Sequence, residues 1–266
     1  RIYKDAGIPQ VSPSSTAPQY TKQGFKTTFR IVANDGQLGG VLGQYAVKEM
    51  GAKNFGIIDD RTAYGQGVAD EFEKAVKAAG GNVVGREFTN DKATDFNAIL
   101  TKLKGQKPDV IFYGGMDAVA GPMMRQMRQL GMDVRFMGGD GICTVEMAKL
   151  AGDAVGEGKV VCAEAGGVTP DKAAALEDFK KRFNSKFNAN VQLYAPYVYD
   201  AVNLLVAAMQ KADSTDPEKY LPELAKIEYD GITGHIAFDE RGDMKKAALT
   251  LYTFKGGQKT QMMVVQ

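Results

Sequence analysis

The chain has 266 residues, 44% hydrophobic and 24% charged, which is typical of a soluble globular protein with room for two lobes or one large α/β domain. Its 33 basic residues nearly balance its 32 acidic residues, so charge gives no reason to expect binding to nucleic acid or to an anionic membrane. No apolar run approaches the roughly 20 residues that a helix needs to span a bilayer.

The first residues have the pattern of the last turn of an amphipathic helix. In RIYKDAG, Ile2 and Tyr3 form the apolar face, and Gly7 is a typical residue to end the helix. A short strand over residues 8–11 follows. Because a domain rarely starts in the last turn of a helix, we expect further sequence ahead of this segment, including an export signal.

From residue 36 to residue 165, helices and strands alternate regularly. The strands are predicted at residues 54–59, 82–88, 109–113, 134–137 and 159–163, and the helices at residues 38–50, 67–79, 95–104, 118–130 and 145–150. Such alternation is typical of a parallel sheet with helices on both faces. The runs FGIID, DVIFYGG and VRFMGG are continuously apolar, as expected of strands that are buried on both faces.

After residue 166 the pattern changes to long helices and then to antiparallel strands. Helices are predicted at residues 170–188, 194–212 and 217–226, and strands in HIAFD, ALTLYTFK and QMMVVQ, which are joined by glycine-containing turns. We therefore predict two lobes. Residues 1–35 and 166–230 form lobe one, and residues 36–165 and 231–266 form lobe two.

Polar residues follow several predicted strands, at the edge where open α/β sheets bind ligands. The loop of Ser14, Ser15 and Thr16 offers hydroxyl and backbone N–H groups that can hold a carboxylate, or it caps a following helical turn. Asp140 stands between glycines and can hold an ammonium group, or it is the N-cap of the next helix. Tyr64 lies in a turn before a helix, where it packs on a ligand or closes the loop.

Enzymatic chemistry has little support in the sequence. Asp59, Asp60 and Asp140 are the residues that a Mg²⁺-dependent phosphatase or receiver-like domain would use, but a solvated or hinge-facing pair is the explanation that we favour for Asp59 and Asp60. The sequence has no P-loop and no GxSxG motif, and GQGVAD lacks the third glycine of a dinucleotide fingerprint. His235 is the only histidine. We expect no catalytic residue, cofactor or metal.

Cys143 and Cys162 are too few for a disulfide scaffold. They are either two buried thiols or one disulfide. The disulfide is considered because both cysteines fall near the carboxyl ends of consecutive predicted strands.

Several stretches at these strand ends resemble the leucine/isoleucine/valine-binding proteins of ABC importers, which have the type I periplasmic binding fold. They are YKDAGIPQVSPSSTAPQYTKQGFKTTFR, DDRTAYGQGVADEFEKAVKAAG, TDFNAILTKLKGQKPDVIFYGG, RQMRQLGMDVRFMGGDG, LAGDAVGEG, YVYDAVNLL and FDERGDMK. The resemblance implies two α/β lobes, each a mainly parallel sheet flanked by helices. It also implies about a hundred further residues upstream, carried by this protein or by a second chain, without which lobe one is too small to be stable.

The resemblance also implies how a small amino acid is held. Ser14 and Thr16 receive its α-carboxylate, with Ser15 in the same loop, while Asp140 pairs with its ammonium group. Tyr64 closes over the ligand.

Three further residues fall near the ligand side chain in this resemblance, namely Tyr194, Met116 and Asp117. Met116 falls where the amino-acid receptors of this family often carry an aromatic residue. An apolar Met116 favours an aliphatic side chain, whereas Asp117 turned inward would favour a polar or cationic one. We favour a branched-chain aliphatic side chain, because Asp117 is also a natural N-cap for the helix that starts at Ala118.

The implied mechanism is hinge closure. The hinge residues are Asp35, Gly36, Ala165, Gly166 and Gly231, in segments whose small residues can absorb a change of backbone dihedrals. The closed form would be recognised by a membrane ABC permease, and the protein would act in the periplasm. The alternative within the same fold is a sensor for amides, urea or aromatic acids.

Overall fold

The computed structural model describes residues 1–168 and 170–265, so Gln266, at the end of the last predicted strand, lies outside the described residues. The chain divides into two compact units. Unit 1 comprises residues 1–33 and 166–248, and unit 2 comprises residues 34–165 and 249–265.

The α-helices, in chain order, are α1 (Ile2–Asp5), α2 (Gln19–Lys22), α3 (Asp35–Lys48), α4 (Ala63–Ala78), α5 (Asn97–Gly105), α6 (Asp117–Gln129), α7 (Glu146–Ala151), α8 (Ala173–Phe187), α9 (Ala195–Lys211) and α10 (Pro217–Ala225). The strands are β1 (Gln10–Ser12), β2 (Thr28–Arg30), β3 (Asn54–Asp59), β4 (Asn82–Phe88), β5 (Val110–Gly114), β6 (Arg135–Gly138), β7 (Val160–Glu164), β8 (Glu228–Asp230), β9 (His235–Ala237), β10 (Leu249–Lys255) and β11 (Gln258–Val265). Short 3₁₀ turns occupy Asp140–Ile142, Gly152–Val155 and Pro170–Lys172.

Unit 2 is built on a seven-stranded sheet of order β11-β10-β7-β6-β5-β3-β4. The five strands β3, β4, β5, β6 and β7 run parallel, whereas β10 pairs antiparallel with β7 and with β11. The central strands are buried on both faces, because their side chains alternate between two helical layers. On one face the rings of Phe72 and Phe112 stack with centroids 3.9 Å apart. On the other, Ile111, Tyr113 and Phe136 belong to a core shared with α5, α6 and α7.

Two helices of unit 2 start earlier than the apolar pattern predicts, because side-chain caps precede the apolar stripe. Asn34 caps α3 in a reciprocal capping box with Gln37, so the helix begins at Asp35 and not at Leu38. Thr62 caps α4, where its hydroxyl accepts a hydrogen bond from the Gly65 N–H at 2.9 Å, so that helix begins at Ala63.

Unit 1 contains the parallel pair β1–β2 and the antiparallel pair β8–β9, together with α8, α9 and α10. Ile2 and Tyr3, the predicted apolar face of α1, are 85% and 53% exposed.

Residues 231–248 cluster with unit 1, whereas the sequence pattern predicts them in lobe two. The reason is that β9 pairs with β8 rather than with the C-terminal strands, and the ring of Phe238 packs on that of Phe29 with centroids 4.9 Å apart. The third boundary between the units therefore falls between residues 248 and 249.

Candidate functional site

Asp140 is the best-defined polar group at the carboxyl edge of the unit 2 sheet. It follows β6 as the first residue of a 3₁₀ turn and is only 6% exposed. Its carboxylate accepts a hydrogen bond from the Tyr64 hydroxyl at 2.8 Å, and that hydroxyl accepts one from the Gly141 N–H, also at 2.8 Å. The carboxylate is thereby fixed in orientation. The N-cap position of α7 is occupied by Val145, and that of the 3₁₀ turn by Gly139, so Asp140 is not the N-cap that one of the two sequence interpretations predicts.

Tyr64 lies in the first turn of α4, not in a turn before a helix, since the Thr62 cap extends the helix towards the sheet. Burial raises the pKa of Tyr64 well above its ordinary value, and the negative charge of Asp140 adds to the rise. The phenol therefore stays protonated and remains a hydrogen-bond donor to Asp140.

Gly141 was not singled out from the sequence, although the pattern Asp-Gly at a strand end is a usable signal. A Cβ at this position would lie 2.5 Å from the Gly115 carbonyl oxygen and 2.8 Å from the Tyr64 ring. A glycine is therefore required where the Gly141 N–H meets the Tyr64 hydroxyl.

The loop that carries Asp140 is also held at its far end. Cys143 and Cys162 form a disulfide with their Cα atoms 5.3 Å apart, which decides between the two readings of these cysteines. The Lys259 ammonium group donates to the Cys143 carbonyl oxygen at 2.9 Å and pairs with Glu164. Burial raises the pKa of Glu164, and Lys259 opposes that rise.

Met116 and Asp117 stand at the carboxyl end of β5. Met116 is 50% exposed, and its sulfur lies beside Gly141. Asp117 is not the N-cap that the sequence predicts, because α6 begins at Asp117 itself and Met116 occupies the cap position. The Asp117 carboxylate instead accepts a hydrogen bond from the Thr144 hydroxyl at 2.5 Å.

Asp59 and Asp60 are 1% and 2% exposed, so of the two alternatives, a solvated or a hinge-facing pair, the solvated one is wrong. Asp59 accepts a hydrogen bond from the Arg86 guanidinium at 2.9 Å. Asp60 accepts hydrogen bonds from the N–H and the hydroxyl of Thr62 at 2.9 and 2.6 Å. Both aspartates therefore fasten the segment between β3 and α4. Among the described residues, no group of three or more His, Cys, Asp or Glu side chains is arranged to hold a metal ion.

In unit 1, the hydroxyl loop follows β1. The Ser12 hydroxyl accepts hydrogen bonds from the N–H groups of Ser15 and Ser14 at 2.9 and 3.4 Å, so the Ser15 N–H is committed within the loop. Thr16 is 3% exposed, and neither its N–H nor its hydroxyl has a hydrogen-bond partner within the described part of the chain. Ser14 is exposed.

Tyr194 precedes α9, and its ring lies edge-on to that of Tyr197 with centroids 6.4 Å apart. Tyr197 is 8% exposed, and no sequence pattern points to it. Its hydroxyl lies so close to Gly166 that a side chain at Gly166 would not fit.

The predicted hinge residues fall at different distances from the unit boundaries. Ala165 and Gly166 are the two residues of the second boundary, and Asp35 and Gly36 follow the first boundary inside α3. Gly231 lies within unit 1, where the Asp200 carboxylate accepts hydrogen bonds from the N–H groups of Ile232 and Thr233 at 3.0 and 2.8 Å. Gly231 is therefore not at a crossing between the units.

Comparison with known families decides what kind of protein this is. The family model described as "Periplasmic binding protein" matches residues 1–259. The chain belongs to the periplasmic binding protein family. Proteins of this family bind solutes and are not enzymes, and association with ABC transporters is typical of them.

Relatives of this binding protein have informative names. The leucine-, isoleucine-, valine-, threonine-, and alanine-binding protein of Pseudomonas aeruginosa is 34% identical over 251 residues, which cover 94% of this chain and 66% of that protein. The Leu/Ile/Val-binding protein homolog 1 of Brucella abortus is 35% identical over 258 residues, which cover 97% of this chain and 68% of that protein. The chain thus spans about two thirds of the length of these relatives.

Two solved structures confirm the type I periplasmic binding fold of this binding protein. The leucine-binding protein LivK of Thermotoga maritima matches with a TM-score of 0.89 and 29% identity, covering 99% of this chain and 75% of that one. The substrate-binding protein LivJ of Streptococcus pneumoniae, in complex with isoleucine, matches with a TM-score of 0.86 and 26% identity, covering 99% and 74%. Within the described residues, none of the helices is both long and apolar enough to cross a membrane.

Proposed function

We propose that this protein captures a branched-chain aliphatic amino acid by hinge closure in the periplasm and delivers it to a membrane ABC permease. The observation that carries the proposal is the Asp140 carboxylate, which is nearly buried and held by the Tyr64 hydroxyl. A fixed carboxylate at the carboxyl edge of a parallel sheet is suited to an α-ammonium group, since it forms a charge-assisted hydrogen bond without reorganisation.

In this proposal, the ligand carboxylate is received in unit 1 by Ser14 and the N–H and hydroxyl of Thr16. The available donors of Thr16 support that role. The Ser15 N–H is occupied by the Ser12 hydroxyl at 2.9 Å, and the Ser14 N–H is directed at the same hydroxyl at the longer distance of 3.4 Å. Contacts that the ligand gains only on closure would favour the closed form, which the permease then recognises.

The preference for an aliphatic side chain rests on Met116 and Asp117. Met116 offers an exposed, adaptable apolar surface beside Gly141. Asp117 is engaged by Thr144, which argues against its use for a cationic side chain. The names of both relatives include leucine, isoleucine and valine, and that of the Pseudomonas aeruginosa protein also includes threonine and alanine, so they point in the same direction. Tyr194 is the aromatic residue that we assign to the pocket wall.

The decisive experiment is calorimetric titration of leucine, isoleucine and valine into the protein and its Asp140→Ala variant. We expect the variant to bind at least about a hundredfold more weakly, because it leaves the ammonium group unpaired in a dry site. Asp133→Ala is the matched control, since this carboxylate of the same unit is 82% exposed and pairs with the surface residue Lys159. Equal affinity of the Asp140→Ala variant and the unmodified protein would refute the proposal.

A thermal-shift screen separates the alternatives, because a ligand that binds the native state raises Tm by mass action. Leucine, isoleucine and valine should raise Tm. A shift from urea, amides or benzoate alone would indicate the sensor function, and a shift from MgCl₂ alone would indicate the metal-dependent one.

A further inference from the structure

Arg30, the last residue of β2, has a fully buried side chain with five hydrogen bonds. Its Nη1 donates to the carbonyl oxygens of Ser15 and Ala17 at 3.0 and 2.9 Å. Its Nε and Nη2 donate to the Asp243 carboxylate at 2.9 and 2.5 Å, and Nη2 also donates to the Thr21 hydroxyl at 3.1 Å. The guanidinium is thus saturated by the chain itself and has no donor left for a ligand.

The bond from Arg30 to the Ser15 carbonyl has a geometric consequence for the next residue. The peptide between Ser15 and Thr16 is planar and trans, so its C=O and N–H groups point in opposite directions. A carbonyl that faces the guanidinium therefore turns the Thr16 N–H away from it. The nearby positive charge also polarises this peptide, which makes its N–H a better donor to an anion.

Asp243 holds the guanidinium group of Arg30 in place. The tight turn that contains Asp243 packs on β2, where the Gly242 carbonyl oxygen accepts a hydrogen bond from the Arg30 backbone N–H at 2.8 Å. The Thr21 hydroxyl donates to the Asp243 carboxylate at 2.9 Å. Gly242 has φ +87°, and the Thr28 carbonyl oxygen leaves no room for a side chain there. A turn from the FDERGDMK stretch therefore supports the loop that follows β1.

We propose that Arg30, held by Asp243, is a positioning residue that aims the Thr16 N–H at the carboxylate of the ligand. This inference rests on the proposed function. It adds that Arg30 sets the orientation of the loop that follows β1. Arg30 acts through the backbone and touches no ligand atom. Its replacement should therefore change the recognition of the carboxylate more than the recognition of the rest of the ligand.

The test compares leucine with leucinamide, which keeps the ammonium group and the side chain but has no carboxylate charge. The quantity of interest is the ratio of the leucinamide Kd to the leucine Kd, measured by calorimetry. In Arg30→Lys, which keeps the charge but loses the forked geometry, we expect this ratio to fall about tenfold. In Asp243→Asn, which is less disruptive, we expect a fall of about threefold, so the test stands even if Arg30→Lys does not fold.

Arg86→Lys is the matched control, because Arg86 is another arginine paired with buried and half-buried carboxylates, namely Asp59 and Glu73 in unit 2. Its ratio should equal that of the unmodified protein. If Arg30→Lys and Asp243→Asn weaken both ligands equally, Arg30 only supports the fold and the inference is overturned. If the unmodified protein does not bind leucine, the proposed function fails, and this inference fails with it.

Discussion

Replacing Tyr64 by phenylalanine tests whether the orientation of Asp140 matters for binding. The substitution removes one hydroxyl and leaves the ring in place. Two hydrogen bonds of 2.8 Å disappear, one to the Asp140 carboxylate and one from the Gly141 N–H. Because the pKa of Tyr64 lies well above its ordinary value, no charge is removed with the hydroxyl near neutral pH.

The size of the effect follows from the charge of the acceptor. A hydrogen bond to a charged group is worth about 1.5–3 kcal/mol, which corresponds to a ten- to hundredfold increase in Kd if it is lost only in the bound state. In the ligand-free protein, water can replace the hydroxyl at the 6% exposed carboxylate, so the loss falls mainly on binding.

The assay is calorimetric titration of leucine into Tyr64→Phe and into Tyr45→Phe. Tyr45 is a half-buried tyrosine of α3 whose hydroxyl has no hydrogen-bond partner within the residues described, so its replacement should leave Kd unchanged. Wild-type affinity in Tyr64→Phe would show that Asp140 needs no orienting hydroxyl, and the reasoning would be refuted.

Three further predictions concern the same region. Gly141→Ala should lower the free energy of unfolding, measured by urea titration, by about 1–3 kcal/mol, because the new Cβ would meet the Gly115 carbonyl oxygen. Gly40→Ala is the control and should be neutral or stabilising, because the space around Gly40 is open. Reducing the disulfide between Cys143 and Cys162, which are 19 residues apart, should cost about 3 kcal/mol of unfolding free energy, and a Cys143→Ser/Cys162→Ser variant should not respond to the reductant. Burial raises the pKa of Tyr20 from 10.0 to about 12 and raises that of Tyr64 as well. Because the folded state favours the neutral phenols, they stabilise the fold below pH 10, and this stability is lost as the pH rises towards and beyond 12. Tyr64→Phe should show a shallower loss of stability over this range, and an equal slope would contradict the pKa shift of Tyr64.

The alternating part of the fold was predictable because each buried strand of unit 2 is a continuous apolar run. Strands β3 and β4 have the predicted bounds, and the others differ by one residue. Helix starts were predicted less well, since the start depends on caps such as Thr62 that precede the apolar stripe. That shift moved Tyr64 from a loop into a helix and hid its bond to Asp140.

The assignment of residues 231–248 shows a different limit. The stretch HIAFD has the alternation of a strand, but alternation does not identify the partner strand, and β8 has only three residues. The role of Arg30 was hidden for a similar reason. Asp243 is 213 positions away in sequence, and no local pattern connects the two.

The position of β10 in the unit 2 sheet has a consequence for the synthesis of the protein. The strands β3 to β7 emerge from the ribosome well before Leu249–Val265, yet β10 is the strand that pairs with β7. Until β10 has been synthesised, one edge of β7 (VVCAE) has unpaired N–H and C=O groups, and such an edge is a template for pairing with other chains. The nascent chain therefore cannot complete this sheet until its last strands are available.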